Sequence, residues 1–137
     1  MNITFLAGII IFGLIILFVL SRLSRFLPVQ KSLNQGHFHD KWVELLIRVR
    51  TPEGMILAII DADKLLDEAL KKKNFKGKTM GERLVSAQRS LSDNDAVWYA
   101  HKLRNRLVHE PDVRLGKKEA RTALEGFKKG LNDLGAF

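Results

Sequence analysis

The sequence predicts an all-α protein, built as an N-terminal transmembrane helix followed by a four- to five-helix antiparallel bundle. Three observations predict it. Residues 3–20 form an almost unbroken apolar run, the apolar positions after residue 37 recur at helical spacing with no alternating β pattern, and each break in that spacing carries a helix start or stop signal.

The apolar run (ITFLAGIIIFGLIILFVL) is interrupted only by Thr4 and two glycines, and no charge precedes Arg22. At about 1.5 Å per residue its roughly 18 residues reach about 27 Å, close to the hydrocarbon thickness of a bilayer. Met1-Asn2 offers no basic side chain, and the run passes into Ser21-Arg22-Leu23-Ser24-Arg25 without a small-x-small site, so the segment reads as an uncleaved anchor. Lys and Arg resist translocation, and all 23 of them lie after the run. The expected topology is therefore single-pass in the inner (plasma) membrane with the C-terminal domain cytoplasmic. The expected organisation is an anchor over residues 1–21, a basic juxtamembrane connector over 22–36 around Pro28, and a helical domain over 37–137.

The first soluble helix is expected over residues 37–50, with Phe38, Trp42, Leu45, Leu46 and Val49 on one stripe. Thr51-Pro52 ends it and opens the next, Thr as N-cap and Pro at the first helical position, where its missing N–H is no loss. That second helix, over residues 52–73, has a stripe of Ile56, Ile59, Ile60, Leu66 and Leu70 and gathers lysines in its last turn, as the helix dipole favours. Residues 74–78 are its loop. Thr79-Met80-Gly81-Glu82 reads as a capping box for a short helix to residue 91. Ser92-Asp93-Asn94-Asp95 caps another, which ends near His109 because Glu110 precedes Pro111 and is driven from α geometry. The last helix is expected over residues 117–134.

The formal net charge is +8 and lies wholly beyond the apolar run, which makes phosphate polymers or anionic headgroups the default long-range partners. The absence of cysteine excludes a disulfide framework, a thiolate metal site and a Cys nucleophile. His37 and His39 stand two apart, which does not place two ligands on one helix face, so no metal and no cofactor is expected. The runs Lys71-Lys72-Lys73 and Lys117-Lys118 read as solvated helix ends or as a surface that steers RNA or anionic lipid. Trp42 and Trp98 lie on or beside apolar stripes and read as packing residues.

Chemistry concentrates in the helix that ends at His109. At 100° per residue, His101, Asn105 and His109 share a face near Trp98, while Ala96, Ala100, Leu103 and Leu107 form the core stripe. His109 sits at a helix C-terminus, where the dipole favours the imidazolium, and suits a general acid or base. Arg104 offers a planar guanidinium matched to phosphate. Together they supply what RNA cleavage needs: an imidazole to move the 2′-hydroxyl or leaving-group proton, and a cation for the charge that grows on phosphorus oxygens. Asp63 interrupts the apolar stripe of the second soluble helix where spacing asks for another apolar residue. A carboxylate there needs a partner, and an Arg or His of the His109 helix is the expected one. Asp61 falls nearer the solvent side.

Arg104-Asn105-x-x-x-His109 resembles the R-x4-6-H signature, with a polar residue directly after the Arg, of HEPN domains (higher eukaryotes and prokaryotes nucleotide-binding). The resemblance covers residues 37–137 and implies a HEPN-like helical bundle acting as a metal-independent endoribonuclease. It further implies a homodimer whose paired motifs face each other across one cleft, with RNA as substrate and an antitoxin or regulatory protein as a further partner. On it Arg104 and His109 are catalytic, Asn105 orients them or the phosphate, and Asp63 matches an acidic residue on an earlier helix; by its place on the helix, His101 either supports the site as part of the cleft or stands exposed. The alternative is a catalytically silent HEPN-like module that binds RNA, a nucleotide or a protein partner as a membrane scaffold.

Overall fold

Asn34, Thr51, Thr79 and Asp93 each start a helix by satisfying a free backbone N–H with a short polar side chain. The computed structural model describes the backbone of residues 3–26 and 31–137 and the side chains of 7–22 and 31–137. Six α-helices result among the described residues, with no strand: α1 (Ile3–Phe26), α2 (Gln35–Arg48), α3 (Pro52–Lys72), α4 (Met80–Ala87), α5 (Asn94–His109) and α6 (Lys117–Asp133). A 3-10 turn, Gln88–Ser90, follows α4.

The chain divides into two compact units, residues 1–30 and 31–137. In the first, the large apolar side chains described on α1 between Ile9 and Leu20 are 44 to 69% exposed, so they cover every face of the helix. Among the described residues no helix is long and apolar enough to cross a membrane. The expected span begins at residue 3 and the expected connector includes 23–30, so both lie partly outside the residues with described side chains.

In the second unit α3 is the hub, packing against α2, α4, α5 and α6, while α5 and α6 lie against each other. That position explains its pattern: Met55, Ala58, Ile59, Ala62, Leu65, Leu66, Ala69 and Leu70 are all buried, a stripe wide enough for several neighbours. The expected stripe was narrower and turned differently, since Ile56 and Ile60 are only half-buried and the alanines lie at full depth. Small residues at depth let helix axes approach, which spacing of large apolar residues alone does not reveal. On α5 the same shift puts Val97 rather than Ala96 in the core. On α2 Phe38, Trp42 and Leu45 are buried as expected, but Leu46 is exposed.

Two boundaries also differ from expectation. Helix α2 starts at Gln35, not residue 37, because Asn34 caps it by accepting from the His37 N–H at 3.2 Å. Leu33 and Phe38, both buried, occupy the two positions of a hydrophobic staple around that cap. At α4, Thr79 accepts from the Glu82 N–H as a capping box requires, but the Glu82 carboxylate accepts from Lys78 N–H at 2.6 Å instead of from the cap residue itself. The helix is then shorter than expected, passing into the 3-10 turn at Gln88.

The loop after α3 is held by a buried cation. Arg83 donates from Nε to Asp67 Oδ1 at 2.7 Å, from Nη2 to Asp67 Oδ2 at 3.0 Å, and from Nη1 to the Gly77 carbonyl at 2.7 Å. Gly77 has φ +151°, and a Cβ there would stand 2.7 Å from Arg83 N, so only glycine lets the loop pass this close to α4. Burial works to raise the Asp67 carboxyl, but the hydrogen bonds and charges of Arg83 and Lys71 outweigh it and hold it below its ordinary value of 3.8. Because the folded value is the lower one, the pair's contribution is fully present above the unfolded value and is lost as pH falls through the folded one. Urea titrations are therefore expected to show stability falling below about pH 4, with a smaller fall in Arg83→Met, which itself costs about 3 kcal/mol at neutral pH. On the other side of the core, a Cβ at Gly126 would run into the Ala96 carbonyl oxygen of α5. Gly126→Ala is expected to destabilise by about 1–3 kcal/mol, read in the same titrations.

Candidate functional site

The interior of the bundle holds one carboxylate at its α3–α5 contact. Asp63 is 4% exposed and divides its oxygens between two residues of α5. His101 Nδ1 lies 2.7 Å from Oδ1, and Arg104 Nε lies 3.3 Å from Oδ2. The second contact is within ion-pair range but lacks hydrogen-bond alignment, which leaves Arg104 Nε buried without a bonded acceptor. Asn105 closes the set, accepting from Arg104 Nη1 at 2.9 Å through its side-chain oxygen and reaching His101 Nε2 at 3.3 Å through its amide nitrogen. One assignment of protons satisfies these contacts together: Nδ1–H of His101 donates to Asp63, and Nε2 accepts from the Asn105 amide. Trp98 presents an edge to the His101 ring, centroid to centroid 5.8 Å, and walls one side of the cluster.

Helical spacing explains why these residues meet. His101, Arg104 and Asn105 stand at i, i+3 and i+4, one turn of one face, directly across from Asp63. Helix α5 is fixed at its N-terminal end by Asp93, whose Oδ1 accepts from Ala96 N–H at 3.0 Å and whose Oδ2 takes the Lys129 ammonium of α6 at 2.8 Å. The hydrogen bond from Lys129, followed by that from Ala96, holds the Asp93 carboxyl below its ordinary range, and the same pair raises Lys129. At the far end Glu110 has φ −105° and ψ 124°, off the helix, as its place before Pro111 requires.

His109 stands apart from the cluster. It is exposed and, among the described residues, its side chain makes no hydrogen bond or ion pair. It lies two turns beyond His101, about 12 Å of helical rise, and about 140° around the axis from Arg104. The structure thus brings Asp63, His101, Arg104 and Asn105 together and leaves His109 to solvent. Arg104, with a side chain 24% exposed, connects the two regions: one edge is engaged inside the bundle and its charge reaches the surface.

The other residues singled out by sequence fall elsewhere. Asp61 pairs with Arg48 at 2.6 Å and Lys64 at 3.5 Å on the outer face of α3. His37 Nε2 meets Glu68 at 3.1 Å, and His39 is exposed beside Asp40. Lys71 and Lys72 pair with Asp67 and Glu68. Among the described residues no three His, Cys, Asp or Glu side chains gather as a metal site would need. The Asp67–Arg83 pair is absent from the sequence reading, and its signal is faint: Arg83 lies one turn into a short capped helix, at a position that spacing alone makes apolar.

No family model, curated protein or solved structure matches the chain. Replacing Asp63 with Leu leaves Arg104 and His101 facing an apolar group and is expected to cost about 3 kcal/mol. Asp63→Asn keeps an acceptor and is expected to cost less, about 1–2 kcal/mol. A long-range 15N spectrum of the imidazoles is expected to show His101 protonated at Nδ1 in the wild type and to lose that signature in Asp63→Leu.

Proposed function

We propose that the protein is a membrane-tethered, metal-independent endoribonuclease of HEPN type, working as a homodimer on RNA. The observation that carries this reading is the buried Asp63, which holds His101 and Arg104 of α5 and, through Arg104, Asn105. A carboxylate in the core of a small bundle is costly unless it serves its neighbours. Here it fixes the guanidinium that a phosphate would meet and leaves that guanidinium partly at the surface. Arg104 would stabilise the charge that builds on the phosphorus oxygens as the 2′-oxygen attacks. The bond to the 5′-oxygen breaks, leaving a 2′,3′-cyclic phosphate and a 5′-hydroxyl. His109, exposed at the end of α5, would accept the 2′-hydroxyl proton or give one to the departing 5′-oxygen. Its separation from Arg104 around the helix is the reason for a dimer in this reading: a second copy would set its His109 across the cleft from the first copy's Arg104.

The anchor belongs to the same proposal. The apolar side chains described on α1 are exposed on all faces, a pattern that suits a lipid solvent better than water, and every Lys and Arg follows them in sequence. In this topology the bundle faces the cytoplasm. Confinement to a surface raises the effective concentration of a second copy, so a weak dimer suffices.

The isolation of His109 from the Asp63 cluster also favours a second reading, a silent HEPN-like module that binds RNA, a nucleotide or a regulatory protein. One experiment separates the two. Full-length protein in phosphatidylcholine nanodiscs is incubated with labelled single-stranded and structured RNA in EDTA, alongside His109→Ala and Arg104→Lys. The expected result is cleavage with cyclic-phosphate ends, reduced about 100-fold or more in each variant, with helicity and assembly size unchanged. A folded, dimeric wild type that leaves RNA intact would replace the nuclease with the silent module. Cleavage unaffected by His109→Ala would remove that residue from the mechanism.

A further inference from the structure

A second feature lies away from the Asp63 cluster and shares no residue with it. A cavity of about 700 Å³ opens between α2, the start of α3 and α6. Its floor is formed by the buried Trp42, Met55 and Leu124, and Leu46, Val49 and Pro52 carry apolar surface outward to the mouth. Around it stand four cations, Arg50, Lys117, Arg121 and Lys128, against one carboxylate, Glu125. Among the described residues none of the four cations is engaged in a side-chain ion pair or hydrogen bond. Cations on the opposite flank of α2 and α3 behave differently: Lys41, Arg48, Lys64, Lys71 and Lys72 all face carboxylates.

We propose that this cavity binds a long-chain carboxylate, a single-chain anionic lipid with its tail along the Trp42–Met55–Leu124 floor and its headgroup on the side of the rim that carries Arg121 and Lys128. The volume is that of a small-molecule site, which typically has about 300–1,000 Å³ and an apolar lining with a few placed polar or charged groups. The charge excess selects an anion, and the apolar floor selects an alkyl chain. RNA is a poor match, since the indole beneath the rim is buried and presents no open face for base stacking. A second copy docking through this same face would bring like cations together.

Trp42 makes the cavity its own reporter. Full-length protein carrying Trp98→Phe, which leaves Trp42 as the sole indole, is placed in phosphatidylcholine nanodiscs and titrated with dibrominated stearate or with its methyl ester. The expected result is saturable quenching by the carboxylate at a concentration about tenfold or more below that of the ester. In Arg121→Glu/Lys128→Glu the half-quenching concentration for the carboxylate is expected to rise about tenfold or more, with the circular dichroism unchanged. Trp42→Phe, which reports from Trp98, is expected to show no saturable quenching. Equal, unsaturable quenching by acid and ester would mean partition into the bilayer and would overturn the proposal, as would a charge-reversed pair that binds the acid as tightly as the parent. An acidic amphipathic helical peptide that shifts Trp42 emission where the brominated acid does not would make the groove a protein-docking surface and likewise overturn it.

Discussion

The bundle depends on a carboxylate in its most buried helix. Helix α3 touches all four of the other helices of its unit, so its sequence is constrained on more sides than any other, and Asp63 occupies the middle of it. A charge there is tolerable only if its partners arrive together and in register. His101 and Arg104 do so because they are one turn apart on α5, and this fixes both the rotation and the axial position of α5 on α3. The register of α5 is also held by the close approach of the Ala96 carbonyl to Gly126 and by the Asp93–Lys129 pair, and the Asp63 cluster adds a polar requirement to it.

The constraint passes outward along α5. Val97, Ala100 and Leu103 bury the N-terminal part of the helix against α6, where Gly126 admits the Ala96 carbonyl at close quarters. Beyond Leu103 the helix leaves the core, Leu107 being only half-buried and Val108 and His109 exposed. The Asp63 cluster sits at that transition, where the dielectric changes from interior to solvent over a single turn. A guanidinium held there keeps a fixed orientation from its buried edge and a strong field at its open one. The same environment is absent at His109, whose position is set by the helix end alone.

Much of this was legible in the sequence, and what was not has identifiable causes. The helix starts at Thr51-Pro52 and Asp93 and the stop before Pro111 could be read because each rests on a local backbone requirement. Asp63 stood out because a charge breaks an apolar period, and its partner class followed from burial cost. The choice of His101 over His109 as that partner was not legible. Both lie on the same helical stripe, and only the axial offset between α3 and α5, a tertiary quantity, decides between them. The start of α2 at Asn34 was obscured by a cap lying in a segment whose basic and apolar mixture also suits a connector. The groove was invisible for a related reason: Trp42, Leu46 and Val49 do fall on one stripe of α2, but α2 packs on α3 and has no extensive contact with α6, so a period that promises core ends partly at a rim.

The distribution of charge follows from the same packing. Carboxylates gather on α2 and α3 as Glu44, Asp61, Asp67 and Glu68, where they neutralise the cations of those helices and of α4. Helix α6 instead presents Lys117, Lys118, Arg121 and Lys128, none of which is in a side-chain ion pair among the described residues. The net charge of +8 is thus expressed unevenly, with little field over the α2–α3 flank and a strong one over α6. Helix α5 packs on α6, but its Arg104 is turned to Asp63 of α3. The asymmetry also separates the two proposed sites by chemistry as well as by place. At the Asp63 cluster the cation is already held by an internal carboxylate and offers one geometry, suited to a single phosphate. At the α6 groove the cations are unheld and stand over apolar surface, so they recognise the sign of a headgroup while the floor selects what is attached to it.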